Sequence, residues 1–330
     1  MQLSYAQNLE DYHLDLVLGD QRAGTYVDVG GGHPVADNVS FWFYLKGWCG
    51  LIVEPQEALA DLYAHVRPRD TTVSCLAGQS EGEVEFHVVD KLHGFSTTVR
   101  EHAVGAGQFG ADFATVRKPV RPLAALCAEA GLTRIDFLKI DVEGAEAETI
   151  AGMDFKRWRP RIVAVEAVAP GSMAESWQGW EPDLLAAGYQ FAFFDRLNRF
   201  YVAKEEAALA ERFPRDPAAW ETVQHLWDLG RAPERTDHPD HALAKVLQAG
   251  FFASLPSLDP AMLERLVVKG LEATKAGAFG PDVARSLIGT AEQSNVPGAG
   301  TSLPQLVDSD ALRTALGRIA CMYDGGHLME

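Results

Sequence analysis

Four short stretches carry acids and glycines spaced as a binding cleft requires. In YVDVGGGHP, Asp28 lies near the end of an apolar run and Gly30, Gly31 and Gly32 follow it. Glu54 closes the run GLIVEP. Asp141 ends the run in IDFLKIDVEG, with Glu143 and Gly144 in the turn beyond, and Glu166 ends RIVAVEA. Acids at the carboxyl ends of buried strands, beside glycines that let backbone approach a ligand, describe the ligand edge of an open α/β sheet. Such acids can accept hydrogen bonds from hydroxyls or an ammonium, take a proton, or hold a hard divalent cation.

The glycine turn narrows the choice of ligand. A dinucleotide fingerprint needs a third glycine where Val35 stands, and no Gly-Lys-Ser/Thr follows to make a phosphate loop. What remains is Asp-x-Gly-x-Gly, from Asp28, Gly30 and Gly32, which suits a nucleoside without phosphates. Asp28 can take an ammonium directly or through water, and Glu54 can accept both ribose hydroxyls. The ligand with both groups is S-adenosylmethionine. An NAD(P)-dependent dehydrogenase would share the strand–turn–helix unit, but Val35 and the lack of a Tyr-x-x-x-Lys pair speak against it.

The elements that must position these residues follow from the hydrophobic pattern. Between Thr25 and Ala203 the apolar runs YVDV, GLIVEP, TTVSCLA, EVEFHVV, IDFLKID, RIVAVEA, YQFAFF and RFYVA alternate with helix candidates near 35–46, 56–66, 121–130, 144–152 and 174–187. This predicts a doubly wound α/β fold with a mostly parallel, seven-stranded sheet. YQFAFF and RFYVA, separated by DRLN, read as a hairpin, which makes one late strand antiparallel. Residues 89–119 read as a long, weakly periodic insertion. Past residue 205 the strand signals stop. SLDPAMLERLVVKGLEA has a cap and a first-turn proline, and Leu312, Leu316 and Ile319 recur at helical spacing. The expected division is a ligand-binding domain over 1–204 and a helical annex over 205–330.

Bulk properties exclude other classes. The 330-residue chain is 47% hydrophobic and carries a formal charge of -17. Such a charge repels phosphate backbones and anionic lipid, so neither nucleic acid nor a membrane is an expected partner. Four scattered cysteines without a CxxC pair, and a start without the layout of a signal peptide, predict a cytoplasmic protein.

YVDVGGGHP, FYLKGWCGLIVEP, GFST, IDFLKIDVEGAE and RPRIVAVEA, in that order and spacing over about residues 20–204, resemble the FkbM-type methyltransferases. These are S-adenosylmethionine-dependent O-methyltransferases with a Rossmann-like class I fold. The resemblance implies a cofactor pocket at Asp28, Gly30, Gly31, Gly32, Glu54, Ala77 and Asp141. The acceptor it implies is a hydroxyl on a sugar, glycan or related natural product. Gly32-His33-Pro34 stands where many members have Asn, and beyond residue 205 the resemblance ends.

Methyl transfer to an alcohol needs a collinear approach and removal of a proton. Asp141 is the first choice as base or as Mg²⁺ ligand, with Glu166 and Glu143 as co-ligands and His33 as the alternative base. Ser96 and His102, in the long insertion, can close over the acceptor. Trp177 and Trp180 are candidates for stacking on a sugar, whereas Phe41–Tyr44 reads as helix core. His238 and His241 read as a polar turn rather than a metal site. The helical tail could form a homodimer or dock a biosynthetic partner, and a catalytically inactive binding module is the non-enzymatic alternative.

Overall fold

The computed structural model describes residues 3–89, 93–169, 174–274, 280–288, 296–320 and 323. Seven strands make the principal sheet. They are β1 (Thr25–Val29), β2 (Cys49–Val53), β3 (Thr71–Val73), β4 (Phe137–Ile140), β5 (Ile162–Glu166), β6 (Tyr189–Phe194) and β7 (Asn198–Ala203). Their order is β6-β7-β5-β4-β1-β2-β3. β7 pairs antiparallel with both β6 and β5, and the pairings from β5 through β3 are parallel, as expected. The order reverses between β4 and β1, where α/β sheets open a crevice at their carboxyl edge.

Both faces of the sheet are covered, which is why its strands read as continuous apolar runs. Val27, Val29, Leu51, Val53, Leu138 and Ile140 point into one core with Leu123, Leu126 and Ile150. Tyr26, Ile52, Phe137 and Ile162 point into the other with Leu14, Val17, Phe43 and Tyr63. Asp28 and Lys139 alternate onto this second face, and both are buried.

The run TTVSCLA splits. β3 takes its first residues, while Leu76–Gly78 joins a second sheet with Gly82–Val89 and Phe113–Pro122. The second half of the expected insertion is therefore a strand, in antiparallel register with Gly82–Val89. Its residues Thr115, Val116, Arg117 and Lys118 are exposed or half-exposed, so no buried face printed an alternating pattern. The first half is helical, over His93–Phe95, Arg100–Gly105 and Ala106–Phe109.

The chain forms two compact units, Met1–Asp228 and Leu229–Glu330. The first runs past the expected boundary at 204 because Leu209 and Phe213 are buried in the second core. Phe213 stacks on Phe193 with centroids 5.4 Å apart, and Gln224–His225 pairs in parallel with Leu3–Ser4. The second unit contains helices His241–Ser254, Pro260–Thr274, Pro281–Ile288, Leu303–Val307 and Asp310–Ala320. Asp259 caps one of them as its sequence predicts, accepting the Met262 N–H at 3.0 Å. Among the described residues, no helix is long and apolar enough to cross a membrane.

Truncating Phe213 to alanine should destabilise the sheet unit by about 3 kcal/mol, since a buried ring leaves a cavity. Chemical denaturation checks this. An unchanged midpoint would mean that the 205–228 segment is not part of the core.

Candidate active site

Two turns at the carboxyl edge build the cleft. After β1 the chain turns through Gly30 (φ 76°), Gly31 and Gly32 (φ 58°). A Cβ on Gly30 would stand 1.7 Å from the carbonyl oxygen of Asp141, whereas a Cβ on Gly32 would meet nothing within 4 Å. The first glycine thus lets the two turns touch, and the third leaves the cleft open. The Gly31 carbonyl accepts hydrogen bonds from Asn38 Nδ2 and the Tyr63 hydroxyl, both at 2.8 Å. Fully buried Arg67 backs this turn, donating to Asn38 Oδ1 at 2.8 Å and to Ser40 Oγ at 2.9 Å.

Glu54 ends β2 beside the turn. Its Oε2 accepts the Gly32 N–H and its Oε1 the Gln56 N–H, both at 2.8 Å. Burial raises its pKa, against those two donors. The Gln56 side chain also bonds to this carboxylate. Asp28 differs from expectation. It is buried, as Glu54 is, at 1% and 2% exposure, but its partners are side chains of the protein. Its Oδ2 accepts Ser40 Oγ at 2.6 Å, and its Oδ1 has no hydrogen bond but lies 3.9 Å from Lys139 Nζ.

On the facing side, one oxygen each from Asp141, Glu143 and Glu166 lies within 4.8 Å of the other two. Glu143 takes a left-handed conformation (φ 53°), followed by Gly144 (φ 105°). The helical part of the insertion holds that turn: Thr97 Oγ1 donates to the Glu143 carbonyl at 2.7 Å, and His102 Nδ1 lies 3.4 Å from it. Burial pushes the Glu143 carboxyl up to about 9, with Asp141 and Glu146 adding to the shift. Burial first, then Asp141 and Glu143, raises Glu166 well above the carboxylate range. Lys139 Nζ meets Asp141 Oδ2 at 3.0 Å.

Other expected residues fall elsewhere. His33 Nδ1 accepts the N–H groups of Val35 and Ala36 at 3.1 and 3.0 Å, so its ring caps its own turn. The lone pair a base would use is taken. Ala77 is buried in the first core and its carbonyl accepts Thr149 Oγ1, so Ser74 and Cys75 are the residues that leave β3 at the carboxyl edge. Ser96 Oγ accepts the Val89 N–H, which leaves Thr97 as the insertion's hydroxyl on the site. Trp180 is 2% exposed and packs in the core, while Trp177 lies under the Arg199 guanidinium at 4.0 Å. Of Phe41–Tyr44, Phe43 and Tyr44 are core residues and Phe41 and Trp42 are half-buried, while His238 and His241 bond to nearby backbone. Lys139, Asn38, Ser40 and Arg67 were not anticipated. For Lys139 the signal was present: a lysine inside the apolar run FLKI.

Residues 28–191 match the family model described as the methyltransferase FkbM domain. This chain carries an FkbM methyltransferase domain. The match spans the glycine turn, Glu54, the acidic turn and β5, and it sets the dehydrogenase alternative aside. S-adenosylmethionine is the methyl donor the family implies. A chain similar to this one among solved structures is a TehB-like SAM-dependent methyltransferase from Corynebacterium glutamicum ATCC 13032 Kitasato. It shares 11% identity at a TM-score of 0.33, over 59% of this chain and 84% of that one. No curated protein matches the chain.

The acids of the FkbM domain give a pH signature. A carboxyl whose folded pKa is raised keeps a proton that the unfolded chain has lost, so its stability contribution falls as pH rises through the interval. For Glu143 that interval runs from 4.5 to about 9. Asp195, raised to about 8 by burial and by Glu10, acts in the same direction. The melting temperature should therefore fall between pH 5 and pH 9, and Glu143→Gln should flatten the slope. An identical slope in the variant would show that Glu143 is not held protonated.

Proposed function

We propose that this FkbM domain transfers the methyl group of S-adenosylmethionine to a hydroxyl of a sugar, glycan or glycosylated natural product. The observation that carries the reading is the Asp141–Glu143–Glu166 triangle beside the open Gly30–Gly32 turn. S-adenosylmethionine supplies the electrophilic methyl, so the chain's residues have to hold two ligands and remove one proton. Glu54 accepts the ribose hydroxyls, and the open side of Gly32 leaves room for backbone approach. Asp141, the most exposed of the strand-end acids, takes the acceptor's proton. Glu143 and Glu166, shifted toward the protonated form by burial and by Asp141, can donate to neighbouring hydroxyl oxygens of the same acceptor. An acceptor with several adjacent hydroxyls satisfies all three groups.

The same triangle favours a second reading. Three carboxylate oxygens this close suit a hard divalent cation such as Mg²⁺. Asp141, Glu143 and Glu166 would hold it, and it would lower the pKa of the acceptor hydroxyl. Against this, the Lys139 ammonium competes for Asp141. We therefore favour proton removal by Asp141 itself.

Asp141→Asn should leave S-adenosylhomocysteine affinity within about threefold while reducing labelled methyl transfer to a panel of sugars at least ~100-fold, the loss of a general base. Chelation of divalent ions should leave the wild-type rate unchanged. Full turnover in the variant would remove Asp141 from this role, and a rate abolished by chelation would install the metal-assisted reading.

A further inference from the structure

Lys139 is the unusual residue of this sheet. It sits on β4, a strand buried along its length, and its neighbours Phe137, Leu138 and Ile140 are all fully buried. Taking an ammonium out of water into such a place costs several kcal/mol unless partners surround it. It has three contacts. Asp141 Oδ2 is at 3.0 Å, the Gly30 carbonyl at 3.3 Å, and Asp28 Oδ1 at 3.9 Å. Burial alone would lower its pKa, but Asp141, Asp28 and Glu10 hold it above the ordinary range.

The partners belong to two different halves of the cleft. Asp28 and Gly30 belong to the donor turn after β1, and Asp141 belongs to the acceptor turn after β4. Lys139 is in direct register with Asp28 across the β1–β4 pair, at the position where the strand order reverses. One ammonium therefore spans the crevice floor and touches both walls. It also faces the Asp28 oxygen that otherwise has no hydrogen bond. The protein's own ammonium thus occupies the place that Asp28 was expected to offer to the cofactor's ammonium.

We propose that Lys139 is a positioning residue that couples the donor and acceptor halves of the site. It seats the glycine turn for the nucleoside through Gly30 and Asp28, and it sets the place and local field of Asp141 opposite the transferable methyl. The proposal rests on the methyltransferase reading, and it adds that donor binding and the field at the methyl share one cation. It also changes the meaning of Asp28, which acts by holding Lys139 rather than by touching the cofactor.

The test uses the full chain and two calorimetric probes. S-adenosylhomocysteine is neutral at sulfur. Sinefungin carries an amine, cationic at neutral pH, where the transferable methyl would be. Lys139→Met keeps the length of the side chain and removes its charge, whereas Lys139→Arg keeps a charge. In Lys139→Met, S-adenosylhomocysteine should bind about tenfold more weakly because the glycine turn loses its anchor. The preference for sinefungin over S-adenosylhomocysteine should rise by about tenfold, because Asp141 loses its cation while the carboxylates remain. Lys139→Arg should keep the wild-type preference. Far-ultraviolet circular dichroism and a cooperative melt establish that each variant is folded. If Lys139→Met does not fold, the double variant Lys139→Met/Asp28→Asn, which removes the fully buried Asp28 charge that would otherwise lose its cation, takes its place with the same expected shift in preference. Equal weakening of both probes would show a merely structural role and overturn the proposal, as would unchanged binding of both. If the wild type binds neither probe, the methyltransferase reading itself fails.

Discussion

The site depends on a contact that no side chain could survive. The turn after β1 and the turn after β4 meet where a methyl on Gly30 would overlap the Asp141 carbonyl. Because β1 and β4 are hydrogen-bonded neighbours at the reversal of strand order, their carboxyl ends are brought together by the sheet itself. The glycine permits that closeness to continue beyond the strands. The Asp141 N–H donates to the Val29 carbonyl at 3.0 Å, and the Gly30 N–H donates to the Val53 carbonyl at 2.9 Å. The backbone ladder thus runs into the turns and places Asp28, Gly32, Glu54 and Asp141 with little freedom.

Around that contact the chemistry divides by burial and partner. Arg67, at 0% exposure, satisfies Asn38, Ser40 and Asp70 beneath the glycine turn, and its partners in turn hold Gly31 and Asp28. These groups are strong because every polar atom of the guanidinium has a use, and a half-satisfied version would be costly. Across the cleft the opposite arrangement holds. Glu143, Glu146 and Glu166 crowd Asp141, and burial raises the pKa of all three. Two carboxyl environments within a few ångströms are what a site needs to remove one proton while offering others.

Much of this was legible in the sequence, and the failures have physical causes. Parallel strands buried on both faces print continuous apolar runs, so β1, β2, β4 and β5 could be read directly. The antiparallel hairpin announced itself through DRLN. The strand Phe113–Pro122 left no such mark because Ala114, Thr115, Val116 and Arg117 are all exposed, so neither face is buried along its length. The boundary at 204 came from the end of strand signals, yet Leu209, in the 3₁₀ segment Lys204–Arg212, and Phe213, just past it, return to the core. Acids could be placed at strand ends, but sequence does not say which way a carboxylate faces. Asp28 therefore looked like a ligand contact and is enclosed by Ser40 and Lys139. His33 looked like a base and is tied to its own turn. Lys139 was visible as a charge in an apolar strand.

In the proposed reaction, the Gly30–Gly32 turn and Glu54 hold the nucleoside of S-adenosylmethionine. Calorimetric titration of the full chain with S-adenosylmethionine, beside the same titration of Glu54→Ala, tests it most directly. One saturable site is expected in the wild type and at least ~100-fold weaker binding in the variant, the loss of two hydrogen bonds to a charged acceptor. Equal affinity in both proteins would place the nucleoside elsewhere and contradict it.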